Sequence, residues 1–228
     1  MQNLIIVGLG NTAEHVFSFV NRHQLFHIKG FAVNEKYITK PTFKGLDVYA
    51  IERLDEYVDK ENDLLYVALL WNRLNKERKD LYLDLKQKGW KFASLISPTA
   101  VVEGEVGENC WIHDFSSIWF DSIVGNNVII RPYVMISEKC TIGDHAYFAP
   151  HAIVAGKCEV GEQTFVGLNA TIFDAVKVGK KCIIGACTAI KRNVPDFSVV
   201  KTSSSVDVVK QYTEETIEDK LVHTKNVR

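Results

Sequence analysis

From Val106 to Ile190, every sixth residue of the chain is apolar. Because hydrophobic residues make up 46% of the sequence, fifteen apolar residues in fifteen such places arise by chance in about one case in 10⁵. The series consists of Val106, Ile112, Ile118, Val124, Ile130, Ile136, Ile142, Phe148, Val154, Val160, Val166, Ile172, Val178, Ile184 and Ile190. A hexad repeat of this kind is typical of a parallel β-helix.

A second column of small or compact residues lies four positions after each apolar residue. Its members are Cys110, Ser116, Ser122, Val128, Val134, Cys140, Ala146, Ala152, Cys158, Thr164, Ala170, Val176, Cys182 and Thr188. Glycine follows the apolar residue at 107, 125, 143, 161, 167, 179 and 185, where we expect sharp corners that need a residue without Cβ. Three short strands and their corners make one coil of about 18 residues, so the hexads predict about five stacked coils.

The first 95 residues alternate strand-like runs with amphipathic stretches. The pattern predicts strands at 3–7, 27–33 and 64–70 and helices at 13–22 and 72–88. This order predicts a small Rossmann-like parallel α/β domain. We therefore expect an α/β domain at 1–95, a β-helix at 96–195, and a tail at 196–228 with a short helix near 211–220.

A glycine-rich turn, Gly8-Leu9-Gly10-Asn11, separates the first strand from the first helix. Such a turn exposes backbone N–H groups at a helix N-terminus, which suits a phosphate. A full dinucleotide fingerprint needs a third glycine where this chain has Ala13, and the domain is too short for two mononucleotide halves. The turn favours one nucleotide diphosphate over NAD, and glycines that only let the turn close are the alternative.

Composition limits the binding partners and the cellular location that we expect. A net charge of -1 gives no electrostatic argument for nucleic acid or an anionic membrane. The apolar N-terminus lacks the basic region of a signal peptide, and no apolar run reaches the ~20 residues of a membrane span. The five cysteines form no CxxC pair, and four lie in the small inward column. We expect a reduced, cytoplasmic protein.

The order of the predicted domains and motifs along the chain resembles that of a known protein family. A short Rossmann-like domain, then LISPTAVVEGEVGENCWI, then hexads ending in GACTAIKRNVPD, resembles the bacterial nucleotide-sugar N-acyltransferases. These enzymes are related to the sialic-acid O-acetyltransferases. The resemblance covers roughly residues 3–200 and implies a left-handed parallel β-helix, a homotrimer, and acetyl-CoA or another acyl-CoA bound between adjacent helices. It also implies a nucleotide-diphosphate amino sugar held by the N-terminal domain, and no metal.

The resemblance also implies site residues. Those expected at the nucleotide-sugar are Gly8, Gly10, Asn11 and Thr12 in the loop, Asn34 and Glu35 near the base, and Asn72 and Arg78 after the later strand. Those expected along the acyl-CoA are Gly156, Leu168, Gly185, Ala186 and Lys191.

This chain departs from the family pattern where the family has histidine. The family's general-base histidine corresponds to Glu138, within Ser137-Glu138-Lys139-Cys140. Tyr147, Ser97 and Thr12 also stand where relatives carry histidine. A sugar amine, with a pKa of roughly 8, is partly neutral at pH 7, whereas a hydroxyl needs a strong base. Loss of the histidine therefore favours N-acylation over O-acylation.

Glu138 is the candidate general base, or the residue that orients the amine. Ser137 is a candidate for helping to orient the same amine. A surface role for each remains the alternative. His145 is a candidate substitute base, reaching Glu138 across a trimer interface. His113 and Asp114 point to opposite sides of a strand, so we interpret them as structural or interfacial.

The sequence thus predicts a trimeric acyltransferase that moves an acyl group, most simply acetyl, from acyl-CoA to the amino group of a nucleotide-linked 3- or 4-amino deoxyhexose for a surface glycan. An O-acetyltransferase acting on a sugar or sialic acid, and a non-catalytic hexapeptide assembly protein, are the alternatives. A zinc enzyme of the same fold is disfavoured, because its H-x4-H pair is not matched by His145 and His151.

Overall fold

The structure is a computed structural model that describes residues 1–202; the predicted helix near 211–220 lies outside the described residues. Its first part is a small α/β layer. The elements are β1 (Asn3–Val7), α1 (Asn11–His23), β2 (His27–Val33), β3 (Thr42–Phe43), β4 (Leu46–Ala50), β5 (Asp63–Val67) and α2 (Asn72–Gln87), with 3-10 turns at Glu35–Tyr37 and Ile51–Glu56.

The five strands form one sheet in the order β3-β4-β2-β1-β5. All neighbours are parallel except β3 and β4. β1 is buried on both faces, because Leu4 and Ile6 pack in the core that holds α1 whereas Ile5 and Val7 pack in the core that holds α2. A near-continuous apolar run is what a central parallel strand requires.

Two predicted elements differ at their ends. β5 stops at Val67 rather than at residue 70, and the chain then turns toward α2. The first turn of α2 is irregular, with Arg73, Leu74 and Asn75 at φ of 52–61°. This backbone lets the buried Asn75 side chain donate to the carbonyl of His145, a contact that the helical pattern could not reveal.

From residue 95 the chain forms a left-handed parallel β-helix. Face I contains β6 (Leu95–Ile96), β9 (Trp111–Ile112), β12 (Ile129–Ile130), β15 (Tyr147–Phe148), β18 (Phe165–Val166), β21 (Ile183–Ile184) and β23 (Val199–Val200). Face II contains β7 (Val101–Val102), β10 (Ser117–Ile118), β13 (Met135–Ile136), β16 (Ile153–Val154), β19 (Thr171–Ile172) and β22 (Ala189–Ile190). Face III contains β8 (Glu105–Val106), β11 (Ile123–Val124), β14 (Thr141–Ile142), β17 (Glu159–Val160) and β20 (Lys177–Val178).

The predicted apolar column is the core of this helix. Every member from Ile112 to Ile190 is buried, and Val106 is partly buried. Stacked residues in successive coils are 18 positions apart, as in the pairs Ile118–Ile136 and Val124–Ile142. Strand pairing reaches Val200, beyond the expected end at residue 195.

The reason for the glycines differs from the prediction. The left-handed corner positions recur every six residues from Asn109 onward and are occupied by residues other than glycine. A Cβ on Gly143 would lie 2.5 Å from the backbone nitrogen of Glu162, and one on Gly161 would lie 2.4 Å from that of Lys180. On face III, glycine is needed because adjacent coils approach closely.

The α/β layer packs on face I. Trp111, Ile129 and Tyr147 lie in the same core as Phe19 of α1, and the Phe19 and Trp111 rings are 5.6 Å apart. The two parts are therefore held together by one apolar cluster. Across residues 1–202, no helix combines the length and apolar character that crossing a membrane requires.

Candidate active site

The glycine-rich turn lies where the sheet changes direction. β1 is flanked by β2 on one side and β5 on the other, and ligands of open α/β sheets bind outside the carboxyl ends of strands at such a switch point. Gly8 has φ of 135°, and a Cβ there would lie 3.2 Å from the carbonyl oxygen of Ala68. Gly10 begins α1 without a side-chain cap. The first N–H groups of α1, at Asn11 and Thr12, thus border this crevice.

An aromatic wall made of Trp71, Tyr147 and Phe165 lies beside the crevice. The Tyr147 and Phe165 rings stack at 5.2 Å with an interplanar angle of 2°, and Trp71 tilts against Phe165 at 5.4 Å. Leu9 and Leu70, from the two loops of the crevice, pack against the same cluster. Trp71 is 46% exposed, so its ring is available to a ligand. The sequence reasoning missed Trp71, although its place shortly after a predicted strand was a usable signal.

Asn34 and Glu35 follow β2 at the same edge of the sheet. The Asn34 side chain and the Glu35 N–H both donate to the carboxylate of Glu52, at 3.1 and 2.9 Å. These bonds, that of the Glu35 N–H first, lower the pKa of Glu52. Arg53 pairs with Glu35 at 2.9 Å. The structure therefore brings Asn34 and Glu35 to the carboxyl edge that the loop at Gly8 also occupies.

Arg78 does not face this crevice. Its side chain has no exposed surface, and its guanidinium donates to the carbonyls of Val67 and Asn109, the latter at 2.6 Å. A side chain committed to interior carbonyls cannot reach a nucleotide in solvent, so Arg78 joins the sheet to the β-helix instead. Asn72, by contrast, is exposed at the start of α2.

His145 is also interior. It lies at the corner between faces III and I and is 4% exposed. Its Nδ1 lies 2.8 Å from the side-chain amide nitrogen of Asn127, which can only donate, so Nδ1 is the unprotonated nitrogen. Burial, followed by the charge of Lys79, lowers the pKa of His145 to about 4. His145 and Glu138 thus stand at different corners of one chain, as the sequence analysis expects, and the role of His145 as a substitute base across a trimer interface stays a prediction, with its burial as an argument against it.

Glu138 stands at the corner between faces II and III. In the stack of coils, Glu138 lies one coil above Phe120 and one coil below Gly156. Two backbone hydrogen bonds connect these coils, from Lys139 N to Phe120 O and from Lys157 N to Glu138 O. Its carboxylate oxygen Oε1 lies 3.0 Å from the point where a Cβ on Gly156 would stand. Among residues 1–202, no cation lies within 4.0 Å of this carboxylate. Ser137 is half-buried at the end of β13, one residue away.

The residues expected along acyl-CoA fall into two groups. Gly156 lies in the column of Glu138, and Lys191 lies near the same edge of face II, with Nζ 5.3 Å from the Phe173 ring centroid. Leu168, Gly185 and Ala186 instead lie at the corner between faces I and II, with Leu168 50% exposed. One chain therefore holds these two groups on opposite edges of face II.

His113 and Asp114 bond within the interface between the two parts. His113 Nε2 lies 2.9 Å from Arg131 Nη1, and its ring packs on Trp111 at 4.2 Å. Burial, followed by the charge of Arg131, lowers the pKa of His113 to about 2. Asp114 accepts a hydrogen bond from Ser97. Asp114 also pairs with Arg22 and His23, and the His113 ring lies 5.3 Å from that of Phe19, so both side chains face α1 rather than opposite sides. Their place between the two parts of the chain fits the interpretation as structural residues. Within residues 1–202, no three His, Cys, Asp or Glu side chains are arranged to hold a metal ion.

Comparison with known sequences gives one partial match. Residues 103–138 and 121–156 match the profile of the bacterial transferase hexapeptide family (six repeats). These residues belong to the β-helix. A search of curated proteins finds no match.

Solved structures match nearly the whole chain. A mutant of perosamine N-acetyltransferase from Caulobacter crescentus, in complex with CoA and GDP-perosamine, is 24% identical, with 87% of this chain and 93% of that chain covered and a TM-score of 0.76. The acetyltransferase domain of PglB from Neisseria gonorrhoeae FA1090 is 20% identical, with 88% and 96% covered and a TM-score of 0.74. WeeI from Acinetobacter baumannii AYE is 20% identical, with 89% and 97% covered and a TM-score of 0.71. The chain shares the complete two-part fold of these proteins.

Proposed function

We propose that this protein is a CoA-dependent N-acyltransferase that transfers an acyl group, acetyl in the simplest case, to the amino group of a nucleotide-linked amino sugar. The observation that carries the proposal is the half-buried carboxylate of Glu138, without a cation partner among residues 1–202, on a β-helix that also has a phosphate-type crevice in its α/β layer. The shared fold supports it, since one of the matching structures is an N-acetyltransferase with CoA and GDP-perosamine bound.

The crevice supplies the nucleotide subsite. The N–H groups of Asn11 and Thr12 would bind the diphosphate, because a helix N-terminus carries a partial positive charge. Gly8 and Gly10 keep the backbone open to the phosphates. Asn34 and Glu35 border the place of the base, with Asn72 at the rim.

The catalytic assembly requires a second copy of the chain. The nucleotide crevice lies above face I, whereas Glu138 lies at the corner between faces II and III, and the acyl-CoA residues occupy both edges of face II. A homotrimer would bring the corner that holds Glu138 in one copy to the corner that holds Leu168 in the next. An acyl-CoA lying between two copies would then meet Gly156 and Lys191 of one, and Leu168, Gly185 and Ala186 of the other.

The chemistry follows from the acceptor. An amine with a pKa of roughly 8 is mostly protonated at pH 7, and it must lose one proton before it can attack. The Glu138 carboxylate would accept that proton. The neutral nitrogen then attacks the thioester carbonyl and forms the C–N bond of a tetrahedral intermediate. The C–S bond breaks as the nitrogen gives up its second proton, and this proton passes to the leaving thiolate to give the amide and the CoA thiol. Positioning contributes most of the acceleration, and Ser137 would help to orient the amine.

The test is thiol release from acetyl-CoA with UDP-, dTDP- and GDP-linked 3- and 4-amino sugars, with mass spectrometry to locate the acyl group. Wild type should turn over one of these sugars and acylate its nitrogen. Glu138→Gln should lose about 10²–10⁴ in kcat/KM, the contribution of a positioned base. Glu159→Gln, a change at an exposed carboxylate paired with Lys177 on face III, is the matched control and should keep wild-type activity. No release with any amino sugar, or acylation only at oxygen, would contradict the proposal.

A further inference from the structure

Glu138 has a carboxylate neighbour two coils above it. The 18-residue repeat places Gly156 one coil above Glu138 and Asp174 one coil above Gly156, all at the corner between faces II and III. Lys157 N bonds to Glu138 O at 2.9 Å, and Ala175 N bonds to Gly156 O at 2.9 Å. The three residues therefore form one stacked column.

The missing side chain of Gly156 opens the space between the two carboxylates. A Cβ at position 156 would lie 3.0 Å from Glu138 Oε1 and 3.4 Å from Asp174 Oδ1. Both carboxylates thus converge on the same point. Any larger residue at 156 would fill that point and force the Glu138 side chain away from Asp174.

Asp174 is held in place by the backbone. Its Oδ1 accepts the Gly156 N–H at 3.1 Å. The same type of bond recurs in this β-helix, where Asp144 caps Asn126 and Asp196 caps Lys180. At those corners the capping oxygen also lies beside a glycine, Gly125 or Gly179, but the atoms nearest the missing Cβ there include no second carboxylate, whereas at Gly156 they include Glu138 Oε1.

The charge of this pair is uncompensated. In the described part of the chain, neither Glu138 nor Asp174 has a cation within 4.0 Å. The ammonium group of Lys139 lies over the ring of Phe120, 6.0 Å from its centroid, and that of Lys191 lies over Phe173. Two like charges that converge on one opening disfavour each other unless a cation lies between them.

We propose that Asp174 is a second substrate-binding carboxylate, which together with Glu138 binds the acceptor as its ammonium form in the opening at Gly156. This inference rests on the proposed function and deepens it. The ammonium is the cation that completes the pair. Glu138 takes its proton, while Asp174, anchored on the Gly156 N–H, keeps its charge and holds the nitrogen near the thioester. The opening therefore selects amino sugars against their hydroxyl counterparts, which bring no charge.

The experiment compares Asp174→Asn with wild type. Asparagine keeps an oxygen for the Gly156 N–H and removes only the charge, so the fold is preserved. Asp196→Asn makes the same change at a corner far from Glu138 and is the matched control. Calorimetry at pH 7 measures the affinity for the nucleotide-linked amino sugar that wild type turns over, and for the same nucleotide-sugar with a hydroxyl in place of the amine. KM and kcat for the amino sugar are measured in parallel.

We expect Asp174→Asn to weaken amino-sugar binding and raise its KM about tenfold, with the affinity for the hydroxyl sugar unchanged. Asp196→Asn should alter neither. Gly156→Ala, which fills the opening, should lose preference for the amine as well. If wild type transfers acyl groups and Asp174→Asn keeps its KM and its preference for the amine, Asp174 has no such role and the proposed function stands. If wild type transfers to no amino sugar, the proposed function and this inference fail together.

Discussion

The side-chain amide of Asn127 donates to Nδ1 of His145 at 2.8 Å, and both residues are buried. The same amide accepts from Asn109, whose Oδ1 accepts the N–H of Val67. Three successive coils are thereby joined side chain to side chain, and the chain of hydrogen bonds ends on the α/β layer. We call Asn109, Asn127 and His145 the polar seam.

Replacing His145 tests whether it serves the fold or the reaction. His145→Ala leaves the Asn127 amide without its partner in a buried place, which costs about 1–3 kcal/mol of unfolding free energy. Chemical denaturation measures this loss. Because His145 is buried and bonded to Asn75 and Asn127, the folded variant should keep wild-type kcat. A fall in kcat of a hundredfold or more would instead support the predicted role of His145 as a base across a trimer interface.

Acid should destabilise the protein through its buried histidines. The pKa of His145 is about 4 in the folded protein, against an ordinary value of 6.5. Above pH 6.5 His145 is neutral in both states and has no effect. Between pH 6.5 and 4 the unfolded state alone takes up the proton, so stability falls by up to about 3 kcal/mol. His113, whose folded pKa is about 2, adds a loss of its own over the same range and continues it toward pH 2.

Unfolding titrations at pH 7, 5.5 and 4 measure this loss. His145→Gln, which cannot titrate, should show a flatter decline than wild type over the same range. Equal slopes in the two proteins would exclude His145 as a source of the acid sensitivity.

Arg78→Met should destabilise the protein without weakening the binding of the nucleotide-sugar. The change leaves the carbonyls of Val67 and Asn109 without their donor, at a cost of about 1–3 kcal/mol each. Thermal and denaturant unfolding measure the loss. The KM for the nucleotide-sugar should stay within about twofold in the folded fraction, and a selective rise in KM would return Arg78 to the substrate site.

The two loop glycines should respond differently to alanine. Gly8→Ala places a side chain at φ of 135° and 3.2 Å from the Ala68 carbonyl oxygen, so we expect a loss of about 1–3 kcal/mol in unfolding free energy. Gly10→Ala meets no atom within 4 Å and should keep the fold. Its methyl group would instead hinder the approach of a diphosphate, which calorimetry with nucleoside diphosphates detects. Unchanged nucleotide affinity in Gly10→Ala would argue against a phosphate at this turn.

Trp71→Ala tests the aromatic wall. Removing the exposed indole takes away a stacking surface beside the crevice, and we expect KM for the nucleotide-sugar to rise about tenfold with little change in stability. Phe197→Ala, a change at an exposed aromatic residue of the β-helix outside the wall, is the control. Equal KM values in the two variants would remove the wall from the binding site.

The β-helix was predictable because its apolar residues recur every six positions in the sequence. Each coil repeats the same inward positions, so the core from Ile112 to Ile190 could be named residue by residue. The same arithmetic could have found Asp174, which follows Glu138 by two periods of 18. The spacing alone does not show that the two carboxylates converge, because this also depends on the space that Gly156 leaves open between them.

Other parts of the site depend on how the two parts of the molecule pack. Arginine and histidine are common in binding and catalytic sites, so Arg78 and His145 were plausible site residues. They are buried only because the α/β layer docks on face I. Burial of this kind joins residues distant along the chain, such as Asn75 and His145, and no local pattern records it. The irregular start of α2 has the same origin, because that side-chain contact stabilises a backbone that helical periodicity does not predict.

The polar seam constrains how the length of the protein can vary. Asn109 and His145, which Asn127 joins, must meet fixed partners in the α/β layer, Val67 and Asn75 respectively. Adding or deleting a complete coil between 109 and 145 would keep the apolar core continuous, yet it would shift one set of partners by the height of a coil. The last of these contacts is that of Phe165 with Trp71, and among the described residues beyond Phe165 the same change would disturb no contact of this kind. Packing against the α/β layer thus fixes the length of the near part of the β-helix, whereas the length of the far end is constrained only by the acyl-CoA and acceptor residues proposed for it.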